Sequence, residues 1–471
     1  MRQLRIASLV LAACAQVLAA AATGIEGDWS GVLNSGPNKL RTVLHLARAA
    51  DGSLTGTLDS VDQGAMGIPI SKVTEDGRSL LIEIKAVGAT YGGQWSADGS
   101  EITGVFHQHG FDLPLTFRRG PLPELARPQN PKKPYPYDVE DVVYDNPKTG
   151  NRLAGTLTLP RSPGPHPAVL LIPGSGAHDR DETILGHKPF LIIADFLTRR
   201  GLAVLRVDDR GVGKSTGSMQ GATTVDLAGD ARASVDFLKS RKDLDPHQIG
   251  LIGHSEGGII APMLAAESSD IAFIVMLGGP AVTGEEIIVA QQYLMNRAMG
   301  MPEAAAEQSR EVERLVLDVV RQEPDGAVAS RKIHEGIQKM SVGLPEDQRR
   351  LLNEAADAVD KQMATLTSPW YRAFLNYDPR PALEKVKVPV LAMSGSLDLQ
   401  VPPHQNLPVI AAALETAGNP DYQIVKLPRL NHLFQTAQTG APAEYGRIEE
   451  TFEPVALEVM GEWITRHVNI K

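Results

Sequence analysis

From residue 137 to residue 277, apolar segments with the two-residue period of a strand alternate with segments of helical period, and few folds accommodate that alternation. Val139–Tyr144 and Arg152–Leu159 form a hairpin pair around Asn146-Pro-Lys-Thr-Gly150. Ala168–Ile172, Leu202–Val207, Ile249–Ile252 and Ile271–Leu277 read as strands, and Pro189–Arg200, Val225–Ser240 and Ile259–Glu267 as helices. A hairpin followed by β-α-β-α units predicts a mostly parallel sheet with helices on both faces. The alternation stops after Gly278-Gly-Pro280, where 285–299, 302–322, 327–340 and 345–365 read as consecutive helices. It resumes with Val388–Met393, His404–Thr416, Gln423–Leu427 and Pro454–Val468. Residues 137–280 and 381–471 therefore make one α/β domain, and 281–380 a helical cap inserted at the carboxyl end of a strand, where insertions shape binding sites.

Residues 25–119 carry a different pattern. Eight short alternating segments, 28–33, 41–48, 53–58, 68–73, 79–85, 90–95, 101–108 and 113–117, predict an all-β domain, barrel- or sandwich-like. Asp51-Gly52, Asp76-Gly77 and Asp98-Gly99 supply hairpin turns between them. Gly27-Asp-Trp29-Ser-Gly31 is similar to the Gly-x-Trp start of lipocalin-type barrels, with Trp29 expected as a core plug. A linker at 120–136 follows, with prolines at 121, 123, 128, 131, 134 and 136 holding it extended.

The first 22 residues read as an export signal. Arg2 and Arg5 form the basic head, Ile6–Leu18 the apolar run, and cleavage is expected near Ala22–Thr23. Leu11-Ala-Ala-Cys14 also fits a lipobox, in which Cys14 would be acylated. Because the apolar run continues past Cys14, ordinary cleavage is the favoured route, giving a periplasmic or secreted protein without an integral membrane span. Cys14 is the single cysteine of the 471 residues, so the cleaved chain would have no disulfide, thiol catalysis or cysteine-held metal. The formal charge of −10 repels phosphate backbones and argues against nucleic acid as a partner.

Chemistry is concentrated at Gly253-His-Ser255-Glu-Gly257. A strand runs into it and a helix leaves it at once, which puts Ser255 at the apex of a sharp turn. The glycines two before and two after must lack side chains for strand and helix to approach. The helix N-terminus then directs free N–H groups at charge developing on a bound carbonyl. Gly213-Lys-Ser215-Thr-Gly217 matches the same pentapeptide, but no helix follows it, and it reads as a glycine-rich surface loop. It is not a phosphate-binding loop either, since the required earlier glycine falls on Asp208.

A serine hydroxyl needs a base, and the base needs an acid to orient it. Asp398 follows the strand 388–393, and His432 follows the strand 423–427. Both sit on loops at strand carboxyl ends, from which they can converge on Ser255. The backbone N–H of Glu256 is expected as one oxyanion donor and that of Ser175, or Gly176, as the second, from the loop Pro173-Gly-Ser-Gly176. His254 is read as structural, Asp208 and Asp209 as loop support. His178-Asp-Arg-Asp-Glu182 is read as salt bridging at the pocket rim and not as a metal site.

These segments resemble the serine-aminopeptidase-like branch of the α/β-hydrolase superfamily, particularly its bacterial carboxylesterases. The resemblance covers residues 137–470 and does not extend to the β-rich domain. It is carried by Ile172-Pro-Gly-Ser-Gly-Ala-His-Asp-Arg-Asp-Glu182, Arg206-Val-Asp-Asp-Arg-Gly-Val-Gly-Lys-Ser215 and Gly253-His-Ser-Glu-Gly-Gly258. Ser368-Pro-Trp-Tyr-Arg-Ala-Phe-Leu-Asn-Tyr-Asp-Pro379, Ser394-Gly-Ser-Leu-Asp-Leu-Gln-Val-Pro402 and Leu430-Asn-His-Leu-Phe-Gln435 add to it. The last two are similar to the family's acid and histidine motifs, on Asp398 and His432. Where the family commonly has His-Gly at the oxyanion loop, this chain has Pro173-Gly174. The resemblance implies cleavage of small-molecule carboxylic esters through an acyl-enzyme, with no cofactor and no metal. A serine peptidase or amidase using the same three residues is the alternative within chemistry. A ligand-binding barrel carrying a vestigial hydrolase domain is the alternative of another class.

Overall fold

The computed structural model describes residues 24–35, 38–49, 51–61, 65–108, 110–120 and 127–470. The segment read as an export signal, with Cys14, lies outside them, as do residues 121–126 of the proline-rich stretch. The chain forms two compact units, one up to residue 123 and one from residue 124.

The first unit has nine strands: β1 (Gly27–Ser35), β2 (Asn38–Arg48), β3 (Leu54–Ser60), β4 (Ala65–Pro69), β5 (Lys72–Asp76), β6 (Ser79–Ile84), β7 (Ala89–Trp95), β8 (Glu101–Gln108) and β9 (Phe111–Arg119). They form one antiparallel sheet of order β4-β3-β2-β1-β9-β8-β7-β6-β5. The segment expected as a single strand at 68–73 is instead a corner between β4 and β5. Pro69 has no N–H with which to continue a ladder. Ile70 then donates to the Gly56 carbonyl of β3 (3.1 Å) and Ser71 to the Glu83 carbonyl of β6 (2.8 Å). Those two bonds draw the ends of the sheet together and curl it into a half-barrel.

Alternate residues of these strands face one core. Trp29, Leu44, Ile82, Tyr91, Ile102 and Phe117 are each no more than 1% exposed within it. Trp29 is a core plug, as expected. Its indole N–H donates to the Ile25 carbonyl (2.8 Å), and the Arg119 guanidinium lies 4.2 Å over its ring.

The second unit begins β10 (Asp138–Asp145), β11 (Arg152–Leu159), β12 (His166–Ile172), α1 (Pro189–Thr198), β13 (Ala203–Val207), α2 (Thr224–Ser240), β14 (Leu244–His254), α3 (Gly257–Glu267) and β15 (Phe273–Leu277). The helices α4 (Gly284–Ala298), α5 (Glu303–Gln322), α6 (Gly326–Met340), α7 (Glu346–Leu366), α8 (Pro369–Asn376) and α9 (Arg380–Leu383) follow. The chain then returns to β16 (Val390–Gly395), α10 (Pro403–Ala417), β17 (Tyr422–Leu427), α11 (Pro442–Tyr445) and α12 (Pro454–His467). The sheet order is β10-β11-β13-β12-β14-β15-β16-β17. The first two pairings are antiparallel, and every pairing from β13–β12 onward is parallel.

The pleat of the sheet divides its side chains between two cores. Ala168, Leu170 and Ile172 of β12 pack with α2, α3 and α10 on one face. Val169 and Leu171 pack with α1 and α12 on the other. Burial on both faces explains why the central strands read as continuous apolar runs. The cap helices carry a separate small core that includes Val316 and Val320 of α5, Ile333 and Ile337 of α6, and Ala356 of α7. The short helices α8, α9 and α11 were not legible as helices, because each begins at or next to a proline and runs for at most two turns. No helix among the described residues is long and apolar enough to cross a membrane.

Replacing Trp29 by alanine removes the largest side chain of the first core and leaves Arg119 without its ring. Trp29→Ala is expected to cost about 3–5 kcal/mol in that unit, read by urea unfolding of the full chain with hydrogen exchange followed in residues 27–119.

Candidate active site

Strand β14 ends at His254, and α3 begins at Gly257. Between them Ser255 has φ +52°, a left-handed conformation that costs an L residue roughly 1–2 kcal/mol. Its N–H donates to the Leu277 carbonyl at the end of β15 (2.9 Å), and its carbonyl accepts from Gly258 N–H (2.8 Å). A Cβ on Gly253 would lie 2.0 Å from the Gly257 carbonyl oxygen, and one on Gly257 2.1 Å from that of Ile172. Both positions therefore admit glycine alone. Ser255 is partly exposed, whereas its neighbours on both sides are buried.

Asp398 and His432 come from the loops after β16 and β17. Asp398 Oδ2 accepts from His432 Nδ1 at 2.8 Å, with both side chains almost fully buried. Asp398 Oδ1 accepts two backbone N–H groups, from Gln400 (2.9 Å) and Val401 (2.8 Å). Asn431 Oδ1 fixes the turn that carries His432 by accepting from Leu433 N–H (3.0 Å) and Gln435 N–H (2.9 Å). Gly278 follows the Leu277 carbonyl that holds Ser255. A Cβ there would lie 3.1 Å from His432 Nδ1 and 3.2 Å from Asp398 Oδ2. Ser255, Asp398 and His432 thus gather about the Leu277–Gly278 corner. Among the described residues no hydrogen bond engages Ser255 Oγ or His432 Nε2. In an enzyme without substrate such contacts are commonly long.

The loop after β12 lies against the same turn, since a Cβ on Gly174 would be 3.1 Å from Ser255 Cβ. Gly174 N–H is already committed, to Glu182 Oε1 (2.8 Å). Among the described residues no acceptor takes the N–H groups of Ser175, Gly176 or Glu256. The Glu256 side chain turns away into the protein, where its carboxylate accepts from Thr224 Oγ1 (2.5 Å) and from Trp370 Nε1 of α8 (3.1 Å). A cleft of about 620 Å³ adjoins the loop after β12, lined by Ser175, Gly176 and Ala222 on one side and Thr367, Pro369 and Trp370 on the other. None of its lining residues is charged.

The cluster 178–182 divides into two roles. Arg180 pairs with Asp208 (2.6 Å), and Arg206 pairs with Asp181, in keeping with the expected salt bridging. Glu182 departs from the expectation of a rim residue. It is 1% exposed and bonds His254 Nδ1 (2.8 Å) directly behind Ser255. Burial works against its charge, yet the charge and hydrogen bond of His254 hold its pKa below the usual carboxylate value. Neither the Glu182–His254 contact nor the Trp370–Glu256 contact was legible, because they span 72 and 114 residues of chain respectively.

Asp208 and Asp209 support their loop as expected, whereas Ser215, read in a surface loop, is buried. Ser215 Oγ donates to the Asp208 carbonyl (2.7 Å) and accepts from Ala154 N–H (2.9 Å), so it is a buried loop anchor. Asp209 accepts from His178 N–H (2.8 Å), and burial, with Glu182 and Asp230 nearby, raises its pKa to about 7. Among the described residues one group of three side chains could hold a metal ion: His334, Asp357 and Asp360, on α6 and α7. There Asp360 already engages His334 (2.9 Å) and Ser330 (2.6 Å).

Comparison with known proteins places the chain in a family. The alpha/beta hydrolase fold family matches residues 167–435, which run from β12 to the His432 turn. Esterase EstD of Thermotoga maritima is 27% identical over 326 residues, covering 69% of this chain and 65% of that protein. Rv2307c, an uncharacterized protein of Mycobacterium tuberculosis, is 37% identical over 136 residues, covering 28% of this chain and 43% of that protein. The chain thus spans less than two thirds of the length of these curated relatives. The structure of the Pyrococcus furiosus esterase Pf2001 aligns over 73% of this chain and 97% of its own, at 16% identity and a TM-score of 0.42. The family match embraces the parallel strands, the Ser255 turn and the loops that bring Asp398 to His432, and the chain belongs to the alpha/beta hydrolase fold family.

Proposed function

We propose that the chain is a serine hydrolase of small-molecule carboxylic esters working through an acyl-enzyme. The observation that carries this reading is the Asp398–His432 hydrogen bond of 2.8 Å at the Ser255 turn. Asp398 spends its second oxygen on two backbone N–H groups and so stays a fixed acceptor for Nδ1–H. That leaves Nε2 of His432 as the basic nitrogen.

Ser255 Oγ attacks the ester carbonyl while His432 Nε2 takes its proton. The N–H groups of Glu256 and Ser175, with Gly176 beside it, receive the oxyanion. His432 returns the proton to the departing alcohol. Water then repeats the sequence on the acyl-enzyme and releases the acid. The uncharged cleft between the oxyanion loop and α8 supports an ester over a peptide with a free amino terminus, which would call for a carboxylate in the pocket. The name of EstD, an esterase, supports the same choice.

A fluorophosphonate probe is expected to label Ser255 in the folded wild type and to leave Ser255→Ala unlabelled. Absence of labelling in the wild type would overturn the enzymatic reading. Asp398→Asn leaves His432 in the wrong tautomer, and kcat on a nitrophenyl ester should fall about 10⁴-fold. Nitrophenyl esters should turn over faster than aminoacyl amides, and the reverse order would assign the site to a peptidase or amidase.

A further inference from the structure

Behind the Ser255 turn lies a second acid–histidine pair that the proposed reaction does not use. Glu182 Oε1 accepts from Gly174 N–H (2.8 Å) and faces His254 Nδ1 at 2.8 Å. On the far side of the same ring, His254 Nε2 faces the His432 carbonyl oxygen at 3.0 Å. The pair therefore touches three parts of the site: the oxyanion loop through Gly174, the nucleophile turn through the residue preceding Ser255, and the His432 loop through its backbone.

The chemistry of the partners constrains the ring. A carbonyl oxygen only accepts, and so does a carboxylate oxygen that already takes an amide N–H. A neutral imidazole has a single N–H and would leave one of its two contacts as lone pair against lone pair. Satisfying both requires either a doubly protonated ring or a proton moved onto Glu182. The Gly174 N–H aimed at Oε1 favours negative charge on that oxygen. Glu182 Oε2 is buried with no hydrogen-bond partner among the described residues, a costly arrangement that a facing imidazolium offsets.

We propose that Glu182 and His254 form a buried carboxylate–imidazolium pair that positions the oxyanion loop and the His432 loop about Ser255. This rests on Ser255 being the nucleophile. Both are positioning residues: neither reaches the substrate, Glu182 acting through the Gly174 backbone next to Ser175 and His254 through the backbone of His432.

Burial opposes the charge on His254, but the charge and hydrogen bond of Glu182 outweigh it and raise the ring's pKa above the ordinary histidine value. Asp398 adds to that field, His178 and Asp209 face Glu182, and His432 offers its carbonyl. A raised histidine contributes fully below its unfolded value of about 6.5 and loses that contribution as pH rises through the folded value. Glu182, lowered, contributes above about 4.3 and loses its contribution only as pH falls through its folded value. The pair is therefore complete near pH 6 and lost on the alkaline side, where kcat should decline.

Nitrogen-15 NMR of histidine side chains in the full chain, with His254 identified by its loss in H254N, tests the charge without any assay of activity. At about pH 6.5, where an ordinary histidine is half neutral, both ring nitrogens of His254 should still carry protons, and a neutral ring there would overturn the pair. Glu182→Gln keeps an acceptor for Gly174 and removes the charge. It should lower kcat about 100-fold, as small misplacements of reacting groups do, leave KM within a factor of about three, and abolish the alkaline decline. An unchanged kcat, or a change in KM alone, would overturn positioning. Should E182Q fail to fold, the wild-type ring resonances decide. A wild type that takes no fluorophosphonate yet shows a charged His254 would remove the enzymatic reading and leave the pair standing.

Discussion

A Cβ atom on Gly253 would sit 2.0 Å from the Gly257 carbonyl oxygen, and one on Gly257 2.1 Å from that of Ile172. With those side chains absent, β14 turns into α3 within two residues, and the turn forces Ser255 to φ +52°. That conformation lifts the hydroxyl to the carboxyl edge of the sheet, where it is partly exposed among buried neighbours. It also leaves the Glu256 N–H at the opening of α3 without an intrahelical acceptor. The strain is held by one hydrogen bond to each side, from Ser255 N–H to Leu277 and from Gly258 N–H to Ser255. Packing of α3 against both β14 and β15 leaves the turn nowhere to relax.

Around that turn, buried polar groups are satisfied chiefly by backbone. Asp398 takes N–H groups from Gln400 and Val401, Asn431 from Leu433 and Gln435, and Glu182 from Gly174. Loops that would otherwise vary are thereby locked to rigid strands, so the side chains they carry are placed to within a hydrogen-bond length. Glu256 extends the same logic to the cap, since its carboxylate binds Thr224 of α2 and Trp370 of α8 together. The residue that offers its N–H at the turn thus uses its side chain to seat one wall of the adjoining cleft.

Much of this architecture was legible in the chain. Period-two and period-3.6 segments placed all eight strands of the second unit, because a sheet buried on both faces demands uninterrupted apolar runs such as Ala168–Ile172. The first unit was legible as all-β from Asp-Gly turns, whose glycines 52, 77 and 99 all have positive φ. Its one misplaced strand, at 68–73, reflects a corner made by Ile70 and Ser71 bonding to two strands distant in sequence. The short helices α8, α9 and α11 were missed because one or two turns carry too few residues to establish a period.

Residue identity and order determined the glycines flanking Ser255, the strand and helix on either side of it, and an acid and a histidine after the last two strands. Those features are local: steric exclusion, backbone propensity and periodicity act over a few residues and leave their mark in the sequence. The tertiary structure alone decided that Asp398 and His432 meet at 2.8 Å, that Glu182 lies buried against His254, and that Trp370 reaches Glu256 across 114 residues. Each of these is a hydrogen bond between side chains far apart in the chain. Its geometry comes from how strands align in the sheet and where the cap returns to it, which no local pattern encodes.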